Sequence, residues 1–311
     1  MTQTSADSYV SKVTKPNDFD DFWGEVLSDL ESIPINPEVV QDHIKSTDDV
    51  DVFHVTFDSL DNVRIFGWYC LPKKSNRELP AILTVPGYNA EAGVSLNLAR
   101  KGYAAFDVAP RGKIGSHHQY NPGYPGLLTY NIVDRNTYSY RGFYADAWRA
   151  VDFLLSRNEV DSKRIGVQGG SQGGGLTITT AAMRPEIRAA KCSVPYLCGI
   201  IDAIELTDTY PYYEITEYLR IHPDSKAKVE ETLAYFDVNN FADKVRCPII
   251  VNIGLQDQVC PPQTGYVVFN LLGSKDKNLY PYDGYGHGGG GHIYQPIVDD
   301  FFQKHLLPKK D

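Results

Sequence analysis

The sequence predicts an α/β fold with a mostly parallel central sheet and helices on both faces. Two observations carry this. Continuous apolar runs such as Ala81–Val85 have the pattern of strands buried on both sides. These runs alternate with segments of helical period, and strand, helix, strand repeated implies parallel pairing. A third observation bounds the size: 311 residues, 42% hydrophobic and 22% charged, match a soluble globular chain able to bury a sizeable core. With no internal repeat and no linker of biased composition, residues 1–311 read as one domain.

The first element is a helix, with Phe19, Phe22, Trp23, Val26, Leu27 and Leu30 on one apolar stripe that packs on the rest of the domain. Pro16-Asn17-Asp18 opens it and Pro34 prevents its continuation. Strand-like segments Val52–Phe57 and Arg64–Leu71 flank the turn Leu60-Asp61-Asn62, so 17–72 holds a helix and a hairpin. After the run Ala81–Val85 come the loop Pro86-Gly87-Tyr88-Asn89, a short helix at Val94–Arg100 and a strand at Tyr103–Val108. A long loop, 110–140, is rich in Gly, Pro, Tyr, His and Asn, and loops of that length are usually functional. A helix over Gly142–Ser156 presents Ala145, Trp148, Val151 and Leu155 on one face, and the strand Arg164–Gln168 follows. A helical insertion occupies about 199–240. Strands at Pro248–Gly254 and Asn278–Tyr282 and a helix at Tyr294–His305 close the chain.

The formal net charge is -9, and basic residues form no cluster beyond short pairs such as Lys73-Lys74 and Lys309-Lys310. Nucleic acid and anionic membrane are therefore poor partners. The opening Met1-Thr2-Gln3-Thr4-Ser5 lacks the basic start and apolar run of a signal peptide, and no apolar run reaches the ~20 residues of a membrane helix. Cys70, Cys192, Cys198, Cys247 and Cys260 are scattered and odd in number, which fits buried free thiols in a cytoplasmic protein best, with a single disulfide as the alternative, and argues against a zinc site.

Chemistry enters at Gly169-Gly170-Ser171-Gln172-Gly173, a G-x-S-x-G match. An apolar strand (Ile165, Gly166, Val167) leads in and a small, apolar helix (Leu176–Met183) leads out. That strand–turn–helix setting exposes a nucleophilic serine on a tight turn, where its neighbours must lack bulk. A glycine-rich turn with an ordinary serine is the bland alternative. A phosphate loop is excluded because no Lys-Ser/Thr pair follows. Gly286-His287-Gly288-Gly289-Gly290-Gly291 fits G-x-G-x-x-G formally, but too little chain remains for a βαβ unit, so no dinucleotide cofactor is expected.

With such a nucleophile, acid and base follow in the order Ser, acid, His. Asp257 lies just beyond the strand Pro248–Gly254, and His287 lies in the loop after Asn278–Tyr282. Among eight histidines, His292 is the rival, placed where a polar helix cap is ordinary; His117 and His118 sit in the long loop. Asp283 is the rival acid, near His287 in sequence but on the wrong loop. The expected site is Ser171, His287 and Asp257 as catalytic residues, with the backbone N–H groups of Tyr88 and Gln172 as the oxyanion hole and no metal.

The chain also resembles the acetyl xylan esterase / cephalosporin C deacetylase family of carbohydrate esterases, within the α/β-hydrolase superfamily. The resemblance runs over nearly the whole chain. Its residues are Asp18-Phe19-Asp20-Asp21-Phe22-Trp23, Gly87-Tyr88-Asn89, Arg111-Gly112, Tyr124-Pro125-Gly126, Asp134, Thr137-Tyr138, Gly169 to Gly174, Tyr235-Phe236-Asp237, Gly254-Leu255, Asp257, Cys260-Pro261-Pro262 and Tyr280-Pro281-Tyr282. It implies a serine esterase that deacetylates small acetylated sugars and related esters. It also implies the same triad and oxyanion donors, and a ring-like homo-oligomer, commonly a hexamer. Arg111, in the shared Arg-Gly pair, is a candidate substrate-binding residue. Two departures stand out: Lys113 where the family has Gln after Arg-Gly, and Gly288 where it has Glu after His. The loop after His287 is enlarged and the loop after Lys113 is shortened. Other readings of the same residues are an acyltransferase or amidase on this triad, or a catalytically silent binding protein of hydrolase type.

Overall fold

The computed structural model describes residues 6–75 and 77–307; the opening five residues and the Lys309-Lys310 pair lie outside them. A single twisted sheet runs through these residues. Its strands are β1 (Glu38–Gln41), β2 (Val50–Asp58), β3 (Arg64–Pro72), β4 (Leu79–Val85), β5 (Ala104–Ala109), β6 (Val160–Gly170), β7 (Ile187–Ser193), β8 (Ile249–Gly254) and β9 (Lys277–Tyr282). They lie in the order β1-β2-β3-β5-β4-β6-β7-β8-β9. Pairing is antiparallel from β1 to β5 through β2 and β3, and parallel from β5 to β9.

The helices are α1 (Phe19–Ser32), α2 (Leu96–Arg100), α3 (Ser139–Leu155), α4 (Gln172–Met183), α5 (Ile200–Leu206), α6 (Tyr213–Ile221), α7 (Lys226–Phe236), α8 (Asn239–Ala242), α9 (Pro262–Leu271) and α10 (Gly291–Leu306). They cover both sheet faces. On β4, Ala81, Leu83 and Val85 join the larger core with α1, α3 and α4, while Ile82 packs with Val298, Phe302 and Leu306 of α10 on the other side. Burial on both faces is the physical reason the run Ala81–Val85 lacks polar alternation. The stripe of α1 meets its expected partner: Trp23 is fully buried, stacks on Tyr144 and meets Trp148 edge-on, and its indole N–H donates to the Tyr235 carbonyl at 2.8 Å. Truncating such an aromatic costs about 3–5 kcal/mol.

Some elements differ from the sequence reading. Helix α3 starts at Ser139, three residues early, and buries residues on nearly its whole circumference because it lies between the sheet and α1. Helix α4 starts at Gln172, directly after the serine, so the glycines following it are already helical. Strand β7 was not anticipated, because Arg188 and Lys191 interrupt its apolar pattern; Arg188 is exposed and Ala189, Ala190 and Cys192 are buried. Helices α5 to α8 form the insertion between β7 and β8. Its start is tied to its end by Asp237, whose carboxylate accepts the N–H groups of Gly199 at 2.9 Å and Ile200 at 2.6 Å. All five cysteines are free thiols.

The topology places the site. From β4 the chain crosses to β5 on one side, whereas from β6 it crosses to β7 on the other. The connections leaving β4 and β6 therefore diverge, and the crevice between them lies at the carboxyl ends of the strands, where open α/β sheets bind ligands. The register Val85↔Gly169 brings the segments after β4 and β6 side by side at that crevice.

Candidate active site

Ser171 occupies the single residue between β6 and α4, with φ 57° and ψ −121°. For a residue with a Cβ this conformation costs on the order of 1–3 kcal/mol and persists only where the surroundings hold it. Its N–H donates to the Ser193 carbonyl at 2.9 Å, and its carbonyl accepts from Gly174 at 2.8 Å and Tyr196 at 3.0 Å. Strand and helix approach so closely that a Cβ on Gly169 would lie 2.3 Å from the Gly173 oxygen, and one on Gly173 would lie 2.2 Å from the Val85 oxygen. No side chain fits at either position, which is the steric demand behind the motif.

Asp257 and His287 meet from adjacent loops, after β8 and β9. His287 Nδ1 lies 2.8 Å from Asp257 Oδ2. The other carboxylate oxygen, Oδ1, accepts the N–H groups of Val259 at 2.8 Å and Cys260 at 2.9 Å. The Asp257 side chain is 1% exposed and that of His287 is 34% exposed. An acid with both oxygens engaged thus fixes an imidazole that lines the cavity. A proton on Nδ1, donated to Asp257, leaves Nε2 as the acceptor. Asn252 anchors the enlarged loop by donating to the Gly289 carbonyl. A Cβ on Gly288 would meet nothing within 4 Å, so a side chain is sterically tolerated there.

The rivals fall elsewhere. His292 is exposed on the first turn of α10, and Asp283 accepts the Gln256 side-chain amide at 2.8 Å. His117 and His118 lie against each other with tilted rings in the long loop, and neither lines the pocket.

Ser171 and His287 line one cavity of about 570 Å³. Its walls come from four places: Gly87 to Ala90 after β4, Tyr124 and Pro125 of the long loop, Tyr210, Pro211 and Glu214 of the insertion, and Val259 after β8. The two side chains make no direct hydrogen bond to each other here, and such contacts commonly close only around substrate. Among the described residues, neither the Tyr88 N–H nor the Gln172 N–H has a protein acceptor. Both sit beside the serine: Gln172 follows it at the positive end of α4, and a Cβ on Gly87 would be 3.8 Å from that of Ser171. The Gln172 side chain is turned inward, its Oε1 accepting the Tyr140 hydroxyl at 2.6 Å. The Tyr88 ring is held by Glu214, which accepts its hydroxyl at 2.5 Å and the Gly126 N–H at 2.9 Å. Burial pushes both the Tyr88 phenol and the Glu214 carboxyl upward in pKa. Glu214 was missed in the sequence, where it is one of two acids on a short amphipathic helix with no motif around it.

The expectation that Arg111 binds substrate is corrected. It is 3% exposed, does not line the cavity, and its guanidinium is taken up by Asp146 and the Leu60 carbonyl. Asp257, Cys260 and His287 do each place one metal-ligating atom within 4.8 Å of the others. An ion there would compete with the Asp257–His287 hydrogen bond, and burial holds the Cys260 thiol well above its ordinary pKa.

The sheet order, the turn carrying Ser171 and the helices on both faces are those of an α/β hydrolase. The family model for acetyl xylan esterase (AXE1) matches residues 1–305, and the chain belongs to that family. It is similar to the acetyl esterase Axe7A of Xylanibacter ruminicola, 29% identical over 280 residues, which covers 85% of this chain and 62% of that protein. The chain thus spans less than two thirds of that curated relative. Among solved structures it is similar to an acetyl xylan esterase from Paenibacillus sp. R4, with TM-score 0.91 and 31% identity, covering 98% of this chain and 100% of the other. It is likewise similar to acetyl xylan esterase 1 from Thermoanaerobacterium sp. JW/SL YS485, with TM-score 0.88 and 25% identity, covering 98% of both chains.

Proposed function

We propose that this chain is a serine carboxylic-ester hydrolase that removes acetyl groups from small acetylated sugars and related esters. The observation that carries the reading is the 2.8 Å contact of Asp257 with His287, which lines one cavity with Ser171, beside two N–H groups, of Tyr88 and Gln172, that lack an acceptor among the described residues. Family membership and the likeness to acetyl xylan esterases support the acetyl ester as substrate. The cavity falls within the roughly 300–1,000 Å³ typical of small-molecule sites. Tyr124 and Tyr210 supply flat apolar walls of the kind a sugar ring packs against.

In this mechanism His287 Nε2 takes the proton of the Ser171 hydroxyl as its oxygen attacks the acetyl carbonyl carbon. The electron pair of the C=O bond moves to oxygen, and the Tyr88 and Gln172 N–H groups stabilise that charge. Asp257 stabilises the imidazolium, which then protonates the leaving alcohol oxygen. A water, deprotonated by His287, attacks the acyl-enzyme, releases acetate and restores the Ser171 hydroxyl.

The test is turnover of p-nitrophenyl acetate and of acetylated xylo-oligosaccharides by wild type and Ser171→Ala, with fluorophosphonate labelling of both. The expected result is turnover and labelling in wild type alone. Full activity of Ser171→Ala alongside an active wild type would sink the reading.

A further inference from the structure

Lys113 is a buried cation with an unusual target. It is 1% exposed, and its ammonium reaches under the loop after β4. There it donates to the Gly87 carbonyl at 3.1 Å and to the Tyr88 carbonyl, and lies 4.2 Å from the centre of the Tyr124 ring. The Gly87 carbonyl belongs to the same peptide unit as the Tyr88 N–H. The charge therefore sits on one side of that peptide and the cavity on the other.

We propose that Lys113 is a positioning residue of the oxyanion hole, fixing the 87–88 peptide and polarising it so that the Tyr88 N–H donates more strongly to the substrate oxygen. The proposal rests on the serine-hydrolase reading. A carbonyl accepting a charged donor makes the N–H of its own peptide a better donor, and burial magnifies the effect. The bond to the Tyr88 carbonyl fixes the next peptide as well, so the loop is held from beneath while Glu214 holds the Tyr88 ring from the side.

The groups facing Lys113 make this device sensitive to pH. Glu91 is the nearby acid, itself engaged by the Ile114 N–H at 2.8 Å. Tyr124 and Tyr88 face it as neutral rings, Glu214 lies behind the Tyr88 hydroxyl, and Arg111 points away into Asp146. Burial outweighs the attraction of Glu91 and pushes the lysine down to about 8. The ammonium is thus present at neutral pH and lost in mildly alkaline solution, and with it the polarisation.

Lys113→Gln separates charge from hydrogen bonding, since the amide retains two N–H donors. The experiment measures kcat and KM for p-nitrophenyl acetate across the alkaline range in wild type and Lys113→Gln. It adds inhibition by an aryl trifluoromethyl ketone, whose hemiketal oxygen occupies the same hole, and a melting temperature for each protein. The expected result is a fall in kcat of about tenfold, with KM within about twofold, and inhibitor affinity weakened by a similar factor. Wild-type kcat declines with a midpoint near the lysine's value of about 8, and the decline is absent from Lys113→Gln. Equal kcat, equal inhibitor affinity or an unchanged alkaline decline in a folded Lys113→Gln overturns the proposal. If that variant does not fold, wild type without an alkaline decline overturns it. A wild type that neither turns over the ester nor takes the fluorophosphonate removes the serine-hydrolase reading itself, and the proposal with it.

Discussion

Arg111 and Asp146 form a closed ion pair beneath the long loop. Nε and Nη2 of the guanidinium each donate to one carboxylate oxygen at 2.9 Å, and the two side chains are 4% and 0% exposed. Asp146 also accepts the Arg111 N–H at 2.8 Å and the Ser59 hydroxyl at 2.6 Å. The pair joins the turn after β2, the end of β5 and the middle of α3. A Cβ on Gly142 would lie 2.0 Å from the guanidinium, so α3 carries glycine where the arginine crosses it.

Removing one partner strands the other as a buried charge. Arg111→Ala should therefore cost about 3–5 kcal/mol of stability, while KM for p-nitrophenyl acetate in the folded fraction stays close to wild type. Urea unfolding and steady-state kinetics check the two halves. A variant of normal stability with a raised KM would return Arg111 to the substrate site.

Asp257 offers a sharper test of the triad. Its Oδ1 is committed to the Val259 and Cys260 N–H groups, so Asp257→Asn must keep its amide oxygen there and turn its NH2 toward His287. The imidazole then accepts at Nδ1 and carries its proton on Nε2, where it cannot act as base. The expected loss is about 10⁴ in kcat with the fold retained. Circular dichroism establishes the fold, and a loss under about tenfold would speak against Asp257 as the orienting acid.

The parts legible in the sequence are those set by local sterics and by buried strands. Glycine on both sides of Ser171 announces a turn that admits no side chain. The runs in β4 and β8 announce strands covered on two faces, and chain order then leads to Asp257 and His287. Strand β7 hid because Arg188 and Lys191 sit where an apolar pattern was sought, the first exposed and the second lying along Tyr294. The role of Arg111 hid because its partner is on a helix whose orientation no local pattern records. Glu214, and the role of Lys113, hid for a related reason. One meets a phenol and a backbone N–H far away in sequence, the other meets two backbone carbonyls, and backbone acceptors leave no mark in a sequence.

Tyr140 supports the proposed oxyanion hole at one remove. Its hydroxyl is the hydrogen-bond donor to Gln172 Oε1, and the Gln172 side-chain nitrogen has no partner among the described residues. Tyr140→Phe leaves the whole amide without partners, in the residue that directly follows Ser171. The expected outcome is a stability loss of about 1–3 kcal/mol, with kcat lowered several-fold and KM nearly unchanged. Chemical denaturation and kinetics measure these separately, and a change confined to KM would contradict the arrangement.

Asp107 gives the fold a pH dependence separate from catalysis. It lies on β5, 4% exposed, with Oδ2 lacking a partner among the described residues, and burial pushes its carboxyl up to about 7. The folded state therefore holds its proton over a range where the unfolded chain has released it. Above about pH 7 the folded protein carries an incompletely paired buried carboxylate that the unfolded chain would hydrate. Below the ordinary carboxylate range both states are neutral and this cost vanishes. Stability thus falls as pH rises from about 4 through about 7 and levels off beyond. Asp107→Asn is neutral throughout. It should exceed wild type by about 2–4 kcal/mol at pH 8, with the gap closing as pH falls toward 4. Melting temperatures of both proteins across that range measure the gap, and one that stays constant with pH would show that Asp107 is not the titrating group.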